Sequence, residues 1–279
     1  KYKLMKTSYK ILIILFIYCS YIPSCTKSLE LDPISSISNS SFWKTENDAK
    51  GALTGMYARL REQAASNFFM LGESRSEVMG PSPIGYEGKT VFRGNELTQT
   101  NVGITWQGFY TVVHDANLIL KYVPQINFTS EETKNSILAQ AYAMRAFVYF
   151  MMTKAWGELI IVTEPTEGYD AEKIQRERSS VADVFAFIKS DLTKASELFS
   201  NDNFPSGRNM WSRPALNALI ADVYLWTGKR MQGGSADFTT ALNALNAIEG
   251  TDVQLLNDFA SVFDYTNKGN KEILMAVRF

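Results

Sequence analysis

The sequence TSEETKNSILAQAYAMRAFVYFMMTKAWG, residues 129–157, predicts a long helix. It opens with Thr129 and Glu132 at the spacing of a capping box, in which each side chain bonds the backbone N–H of the other residue. Residues three and four positions apart then form one stripe as far as Gly157, which is typical of a helix with a buried face. The stripe consists of Ile137, Ala141, Met144, Arg145, Val148, Met152 and Ala155. We expect this helix to pair antiparallel with the helix before it.

Helical spacing recurs on both sides of this segment. Thr45 with Asp48 and Ser180 with Asp183 match capping boxes, and Pro214 suits the first turn of a later helix. The helices predicted in this way cover residues 45–60, 106–124, 180–198, 214–226, ended by Gly228, and 237–249, with Leu242, Leu245 and Ile248 inward. Alanines at the expected crossings favour helical hairpins. The predicted fold class is therefore predominantly all-α, with tetratricopeptide-like hairpins.

Two insertions break a strict repeat. Residues 67–100, here called the excursion, contain five glycines and two prolines and predict a long irregular loop. Residues 157–179 form the second insertion, and the run LIIV at 159–162 within it predicts a short buried extended segment. The closing run EILMAVRF at 272–279 is also strand-like. A long loop excursion and short strands thus complete the predicted fold.

The first residues have the layout of a secretory signal peptide. Four lysines and no acidic residue accompany the apolar run ILIILFIY at 11–18, and Ser24 stands just before Cys25. Such a run is too short to cross a hydrocarbon core of about 30 Å. The predicted organisation is a signal peptide at 1–24, a lipidated tether at 25–41 and a helical domain at 42–279.

Cys25 is the predicted lipidation site. The other cysteine, Cys19, lies inside the signal peptide, so Cys25 has no partner for an internal disulfide. Ile22, Ser24 and Cys25 fit the lipobox of bacterial lipoproteins, whereas Pro23 departs from it. Acylation would tether a soluble domain to a membrane by its first residue. The alternative is an ordinary signal peptide with an incidental cysteine, which would leave the protein secreted or periplasmic.

The composition excludes several functional classes. The chain has 279 residues, 46% hydrophobic and 20% charged, which excludes wholesale disorder. Residues 25–279 carry 24 Lys and Arg against 29 Asp and Glu, so nucleic acid is a poor partner. One histidine, His114, and one remaining cysteine cannot build a zinc site. Calcium held by oxygen ligands stays open.

No catalytic residue and no cofactor is predicted. His114 precedes Asp115 but has no serine motif or second histidine beside it, so we expect a structural role. Glu73 and Glu77 have the residue type of a glycosidase pair. Because Arg75 and Arg93 are close enough in sequence to neutralise them, surface ion pairs are the favoured interpretation.

Four ordered stretches resemble the SusD/RagB family of nutrient-binding lipoproteins in Bacteroidetes outer membranes. They are Cys25 to Pro33 with FWKTENDAKGALTGMY at 42–57; Trp106, Tyr110 and Asn117; RAFVYFMMTKAWGELIIVTEP at 145–165; and residues 211–229 with the closing 270–279. Ile160 stands where the family usually has a proline. Family members are longer, so the domain 42–279 is expected to lack a C-terminal half.

The resemblance implies a binding protein without catalysis. Such a protein would sit in the outer membrane facing outward, capture a glycan or another oligomeric nutrient, and pass it to a SusC-type TonB-dependent transporter. The alternative that the helical hairpins leave open is a tetratricopeptide-type adaptor that binds a protein or peptide. A polar groove would favour the adaptor, and exposed aromatic side chains grouped in loops would favour the glycan.

Ligand contacts are predicted in the excursion. Tyr86 and Phe92 lie in a Gly-rich stretch with Arg93 and Asn95, so aromatic faces and hydrogen-bonding groups occur within one loop. Other aromatic residues recur at helical spacing and are expected to pack in the core instead. They are Trp106, Tyr110, Tyr149, Phe150 and Trp156.

Overall fold

The structure is a computed structural model that describes residues 42–76, 94–96, 98, 104–168, 170–171 and 175–279. The predicted signal peptide, Cys25 and the tether lie outside the described residues. From Trp43 onward the chain forms one compact unit. Its helices are α1 (Glu46–Ala64), α2 (Asn67–Leu71), α3 (Gln107–Tyr122), α4 (Glu131–Trp156), α5 (Val181–Leu198), α6 (Arg213–Arg230), α7 (Gly234–Asn246) and α8 (Phe259–Val262). The predominantly helical fold is therefore confirmed.

The long helices run alternately up and down. Helix α3 packs against both α1 and α4, α4 packs against α5, and α6 packs against α7. Gln63 near the end of α1 meets Gly108 at the start of α3, and Phe109 at the start of α3 meets Trp156 at the end of α4. Neighbours in sequence are therefore antiparallel. We call the end that holds Ala64, Gln107 and Trp156 the excursion end, and the opposite end, where α4 begins, the distal end.

Local capping explains most helix starts. Thr45 and Asp48 form the predicted capping box, and the Ser180 side chain accepts from the backbone N–H of Asp183. The cap of α4 is one residue later than predicted, because Ser130 accepts from the Thr133 N–H while Thr129 donates to Glu46. A tertiary hydrogen bond to α1 has thus taken the side chain that the local pattern assigned to the cap.

The end of α6 and the buried face of α7 differ from the prediction. Helix α6 continues past Gly228 to Arg230, and Gly228 leaves room for Phe238 of α7, which a Cβ would meet at 2.6 Å. On α7 the buried residues are Ala241 and Ala244, whereas Leu242 and Leu245 are exposed. The inward placement of those two leucines was wrong, because close packing on α6 selects the small residues instead.

The short strands do not form among the described residues. Leu159 is buried and makes one antiparallel bridge, to Ser179, but 160–162 have no strand partner. Helix side chains bond this backbone instead: Tyr110 donates to the carbonyl of Ile160 at 2.8 Å, and Tyr149 accepts from the N–H of Val162 at 2.8 Å. The closing run 272–279 likewise has no strand partner; Ala276 donates to the carbonyl of Arg208 at 2.9 Å, and Arg278 donates to that of Gly207 at 2.8 Å.

The excursion begins with more order than predicted. Helix α2 and a 3-10 turn, Glu73–Arg75, occupy its first nine residues, and Met70 and Ser74 are buried. Residues 77–93 and most of 97–103 lie outside the described residues. The predicted irregular loop is therefore shortened at its N-terminal side.

A buried ion pair joins the central helices. Arg145 on α4 donates to both carboxylate oxygens of Asp191 on α5, at 2.7 and 2.8 Å, and both side chains are at least 95% buried. The same guanidinium donates to Asn117 on α3, whose amide donates to the carbonyl of Val162 at 2.9 Å. Burial raises the pKa of Asp191, and the hydrogen-bonded guanidinium opposes that rise. One side chain thus links three helices and the segment 159–162.

A second, less buried carboxylate links α5, α6 and α7. Asp237 on α7 accepts from Lys189 on α5, at 3.1 and 3.2 Å, and from the hydroxyl of Thr227 on α6. Burial alone would raise the pKa of Asp237, but the hydrogen bonds from Thr227 and Lys189 outweigh it and lower the pKa below 3.8. This residue therefore fixes the last hairpin through its ionised form.

Replacing Arg145 by Met should lower the free energy of unfolding by about 3–5 kcal/mol, because the Asp191 carboxylate would stay buried without its partner. Replacing both residues, Arg145→Met with Asp191→Leu, should recover part of the loss. Urea unfolding followed by circular dichroism measures both. As a control, Arg59→Ala removes a half-exposed ion pair with Asp115 and should cost about 1 kcal/mol or less. Equal losses for Arg145→Met and Arg59→Ala would contradict the assignment.

Asp237→Asn should destabilise the protein at neutral pH by about 1 kcal/mol or less, since the ion pair is partly exposed. The pKa of Asp237 is lowered on folding, so its contribution is present above pH 3.8 and is lost as the pH falls through the lower folded value. The stability gap between wild type and variant should therefore close in acid. Asp222→Asn, on an exposed α6 carboxylate, is the control. If the stability difference between wild type and Asp237→Asn does not change with pH, the ionised form of Asp237 is not its source.

Candidate functional site

The predicted ligand residues fall on the excursion, only part of which can be located. Tyr86, Phe92 and Arg93 lie outside the described residues. Asn95 is exposed, with a left-handed φ of 52° that asparagine tolerates better than most residues. Its side chain accepts from Arg75 Nε at 2.9 Å and donates to the Arg75 carbonyl at 3.1 Å. Asn95 therefore ties the later part of the excursion to its start.

This contact also bears on the carboxylates considered for hydrolysis. Arg75, which was expected to neutralise Glu73 and Glu77, bonds Asn95 through its Nε. Glu73 is exposed on the 3-10 turn, and Glu77 lies outside the described residues. The structure thus assigns Arg75 to holding the two ends of the excursion together.

A groove runs along the exposed face of α3 at the excursion end. It has a volume of about 390 Å³ and is lined by Trp106, Tyr110, His114 and the ion pair Arg59–Asp115, together with neighbouring polar side chains. Arg59 Nε lies 2.8 Å from Asp115 Oδ2. Burial raises the pKa of Asp115, and the Arg59 guanidinium opposes the rise. We call this surface the α3 groove; its aromatic and paired charged walls resemble those of small-molecule sites.

The aromatic residues expected in the core are found there. Tyr149 and Phe150 are buried, while Trp106, Tyr110 and Trp156 are partly buried and pack on the same core. Trp106 lies edge-on to Tyr110 at 6.0 Å, and Tyr110 lies edge-on to Tyr149 at 6.2 Å. Burial raises the pKa of Tyr110 to about 12, so its hydroxyl stays protonated and can donate to Ile160. Trp106 and Tyr110 therefore pack on the core and also line the α3 groove.

The single histidine has the structural contact that was expected. His114 Nδ1 accepts from the backbone N–H of Thr166 at 3.3 Å, which holds the segment after Val162 along α3. Within the described ranges, no three His, Cys, Asp or Glu side chains come close enough to hold a metal ion.

An exposed aromatic surface near the end of the chain was missed by the sequence analysis. Leu255, Phe259, Phe263 and Tyr265, which are close in sequence, are each 73–81% exposed, and we call this set of residues the C-terminal patch. Phe259 and Phe263 lie edge-on at 5.1 Å. The only local signal was the four-residue spacing of the two phenylalanines, which predicts equally well a buried helix face. The patch could stack on flat apolar groups.

None of the described helices is both long and apolar enough to span a bilayer.

Comparisons with known proteins agree with this architecture. The family SusD-like_3, described as "Starch-binding associating with outer membrane", matches residues 29–225. A curated relative, SusD-like protein P38 of Formosa agariphila, is 28% identical over 289 aligned positions, which cover 100% of this chain and 54% of the relative.

Solved structures show the same relationship. NanU from B. fragilis superposes with a TM-score of 0.81 at 37% identity, over 89% of this chain and 50% of that one. A structure described as being with xylogluco-oligosaccharide superposes with a TM-score of 0.66 at 26% identity, over 83% of this chain and 46% of that one. The chain thus spans about half the length of the relatives it matches. On its fold and on the family match over most of its length, the chain belongs to the SusD-like family of outer-membrane-associated proteins.

Proposed function

We propose that this protein captures glycan outside the cell without altering it chemically and delivers it to a SusC-type TonB-dependent transporter. The observation that carries the proposal is membership of a family described as starch-binding. A relative with the same helical scaffold is described as being with xylogluco-oligosaccharide, which supports a glycan as the ligand class. The chain spans about half the length of its relatives. The activity of the whole protein is therefore part of this proposal.

The excursion is the proposed ligand-binding segment. A sugar ring presents an apolar face to an aromatic side chain and a hydroxyl rim to amide and guanidinium groups. Tyr86 and Phe92 would supply the faces, and Arg93 and Asn95 the hydrogen bonds. Asn95 is bonded to Arg75 near the start of the excursion, and the α3 groove lies at the same end of the helices. A rigid helical scaffold that carries a loop is a common arrangement for binding.

The alternative is an adaptor for a protein or peptide. It predicts a polar groove along successive helices, with few aromatic side chains exposed. The most exposed aromatic residues among those described are instead grouped outside the long helices, in the C-terminal patch and at Phe279. Flat, exposed aromatic groups suit sugar rings, so the glycan remains the better supported ligand.

The proposed location is the outer face of the outer membrane, anchored by acylation of Cys25. The family description places its members in association with the outer membrane. Cys25 follows a signal-like segment and is the first residue of the proposed tether 25–41. A diacyl or triacyl anchor would hold the domain far more firmly than a single chain.

Replacing Tyr86 and Phe92 together by Ala should weaken glycan binding by at least about tenfold, because aromatic anchors typically contribute about 1–4 kcal/mol. Affinity electrophoresis in gels containing starch, laminarin or xyloglucan measures the change. The matched control is the double replacement Phe259→Ala with Phe263→Ala, which removes two exposed aromatic side chains from the C-terminal patch. Binding lost only in that control would move the site to the patch. Binding of peptides but of no glycan would support the adaptor.

Metabolic labelling with a palmitate analogue should mark the protein in a bacterial host that processes lipoproteins. Cys25→Ala should abolish the label and release the protein from the membrane fraction, whereas Cys19→Ala should leave both unchanged because Cys19 lies in the signal peptide. Equal labelling of wild type and Cys25→Ala would exclude acylation at this residue.

The same membranes, solubilised in mild detergent, test the proposed partner. We expect a β-barrel transporter to co-purify with the lipidated protein. Repeated recovery of the protein alone would argue against delivery to such a transporter.

A further inference from the structure

A second cleft opens at the distal end, away from the excursion. It lies between the first turns of α1 and α4 and the segment 199–212, and its volume is about 370 Å³. This is within the range of roughly 300–1,000 Å³ that is usual for small-molecule sites. We call it the distal cleft. Nothing in the proposed role of the excursion uses it.

The inner wall of the distal cleft is pre-formed by a chain of hydrogen bonds. The backbone N–H of Trp211 donates to the hydroxyl of Tyr57 at 2.7 Å, and that hydroxyl donates to Gln140 Oε1 at 2.9 Å. Gln140 and Trp211 line the cleft and are 6% and 4% exposed. The Trp211 ring is held edge-on to Phe147 at 5.5 Å. Both lining side chains are thus fixed before any ligand arrives.

The charged groups at the cleft already have partners. Glu132 Oε1 accepts from the Ser200 hydroxyl and the Asn201 amide, both at 2.7 Å, and these bonds lower the pKa of its carboxyl. Lys50 pairs with Glu46 at 2.6 Å. Glu46 matches the charge of Lys50, whereas the partners of Glu132 are neutral, so its carboxylate stays ionised and the cleft disfavours an anionic ligand.

Neutral polar groups and apolar edges make up the rest of the lining. The lining includes the exposed amide of Asn203 and the hydroxyl of Ser136, which accepts from the Gln140 amide at 3.3 Å, beside partly apolar walls. The indole N–H of Trp211 is buried and has no acceptor among the described residues.

We propose that the distal cleft binds one neutral sugar unit, as a saccharide site separate from the excursion. A sugar ring combines hydroxyl donors and acceptors with apolar C–H faces, which matches amides and hydroxyls set among apolar walls. It carries no negative charge, in agreement with the ionised carboxylate of Glu132 on the wall. Its oxygens also provide acceptors for donors on the wall.

The test uses ligand-observed saturation-transfer NMR with glucose, galactose and N-acetylglucosamine, each added alone at millimolar concentration. It is run on the whole chain carrying Tyr86→Ala and Phe92→Ala, so that the excursion residues do not contribute. At least one sugar should show saturation transfer. Ser136→Phe, which fills the cleft from α4, should abolish the signal, and Asn203→Ala should weaken the affinity by about tenfold.

Asn246→Ala is the matched control, because Asn246 is an exposed asparagine at the end of α7 and does not line the distal cleft. It should leave the signal unchanged. Circular dichroism and the urea midpoint verify folding of each variant. If Ser136→Phe fails to fold, Asn203→Ala decides, since Asn203 is exposed and its truncation removes no core contact.

Three results would overturn the proposal: no transfer to any neutral sugar, a signal unaffected by both cleft variants, or preferential binding of glucuronic acid or a short peptide. The excursion proposal fails on a different measurement. It is contradicted if polysaccharide gels retard the Tyr86→Ala and Phe92→Ala variant as strongly as the wild type. The two proposals can therefore fail independently.

Discussion

The guanidinium of Arg145 is the constraint on which the arrangement of the central helices depends. It is buried, so it is tolerated only where every hydrogen bond is satisfied, and Asp191 and Asn117 supply the partners from α5 and α3. Asn117 in turn holds the carbonyl of Val162. A shift of α5 would leave a charge buried without its partner, and a shift of α3 would remove an acceptor from the buried guanidinium. The helices and the segment between α4 and α5 are therefore positioned together.

This constraint explains how an irregular segment can lie against the core without a β-sheet. Residues 160–162 take their hydrogen bonds from the side chains of Tyr110, Tyr149 and Asn117, which project from two helices. Helix side chains provide the hydrogen-bond partners that a neighbouring strand provides in a β-sheet, so the buried backbone groups remain paired.

The two ends have different chemistry and stand far apart. Helix α4 has 26 residues, which corresponds to about 39 Å at about 1.5 Å per residue. The excursion is at one end, and the distal cleft, with its ionised Glu132 and neutral amides, is at the other. If both proposed sites bind sugar, a single sugar molecule occupies one site at a time, whereas one polysaccharide chain occupies both. Two weak sites on one scaffold would then favour polymers through effective concentration.

The sequence by itself determined the features that depend on neighbouring residues. Helix starts at Thr45 and Ser180 and the helical class follow from short-range capping and periodicity. The ordered motifs also indicated the family that the comparisons show. These properties were readable because their physical causes act within a few residues.

Tertiary structure alone decided the rest. Arg145 and Asp191 are 46 positions apart, and nothing local marks them as partners. Leu242 and Leu245 repeat as a buried face would, yet α6 accepts only the neighbouring alanines, because close helix packing depends on the shape of both surfaces. The distal cleft gathers Ser136, Gln140, Asn203 and Trp211 from separate segments. Each is unremarkable in sequence, since a binding surface is defined by distances that only the folded chain establishes.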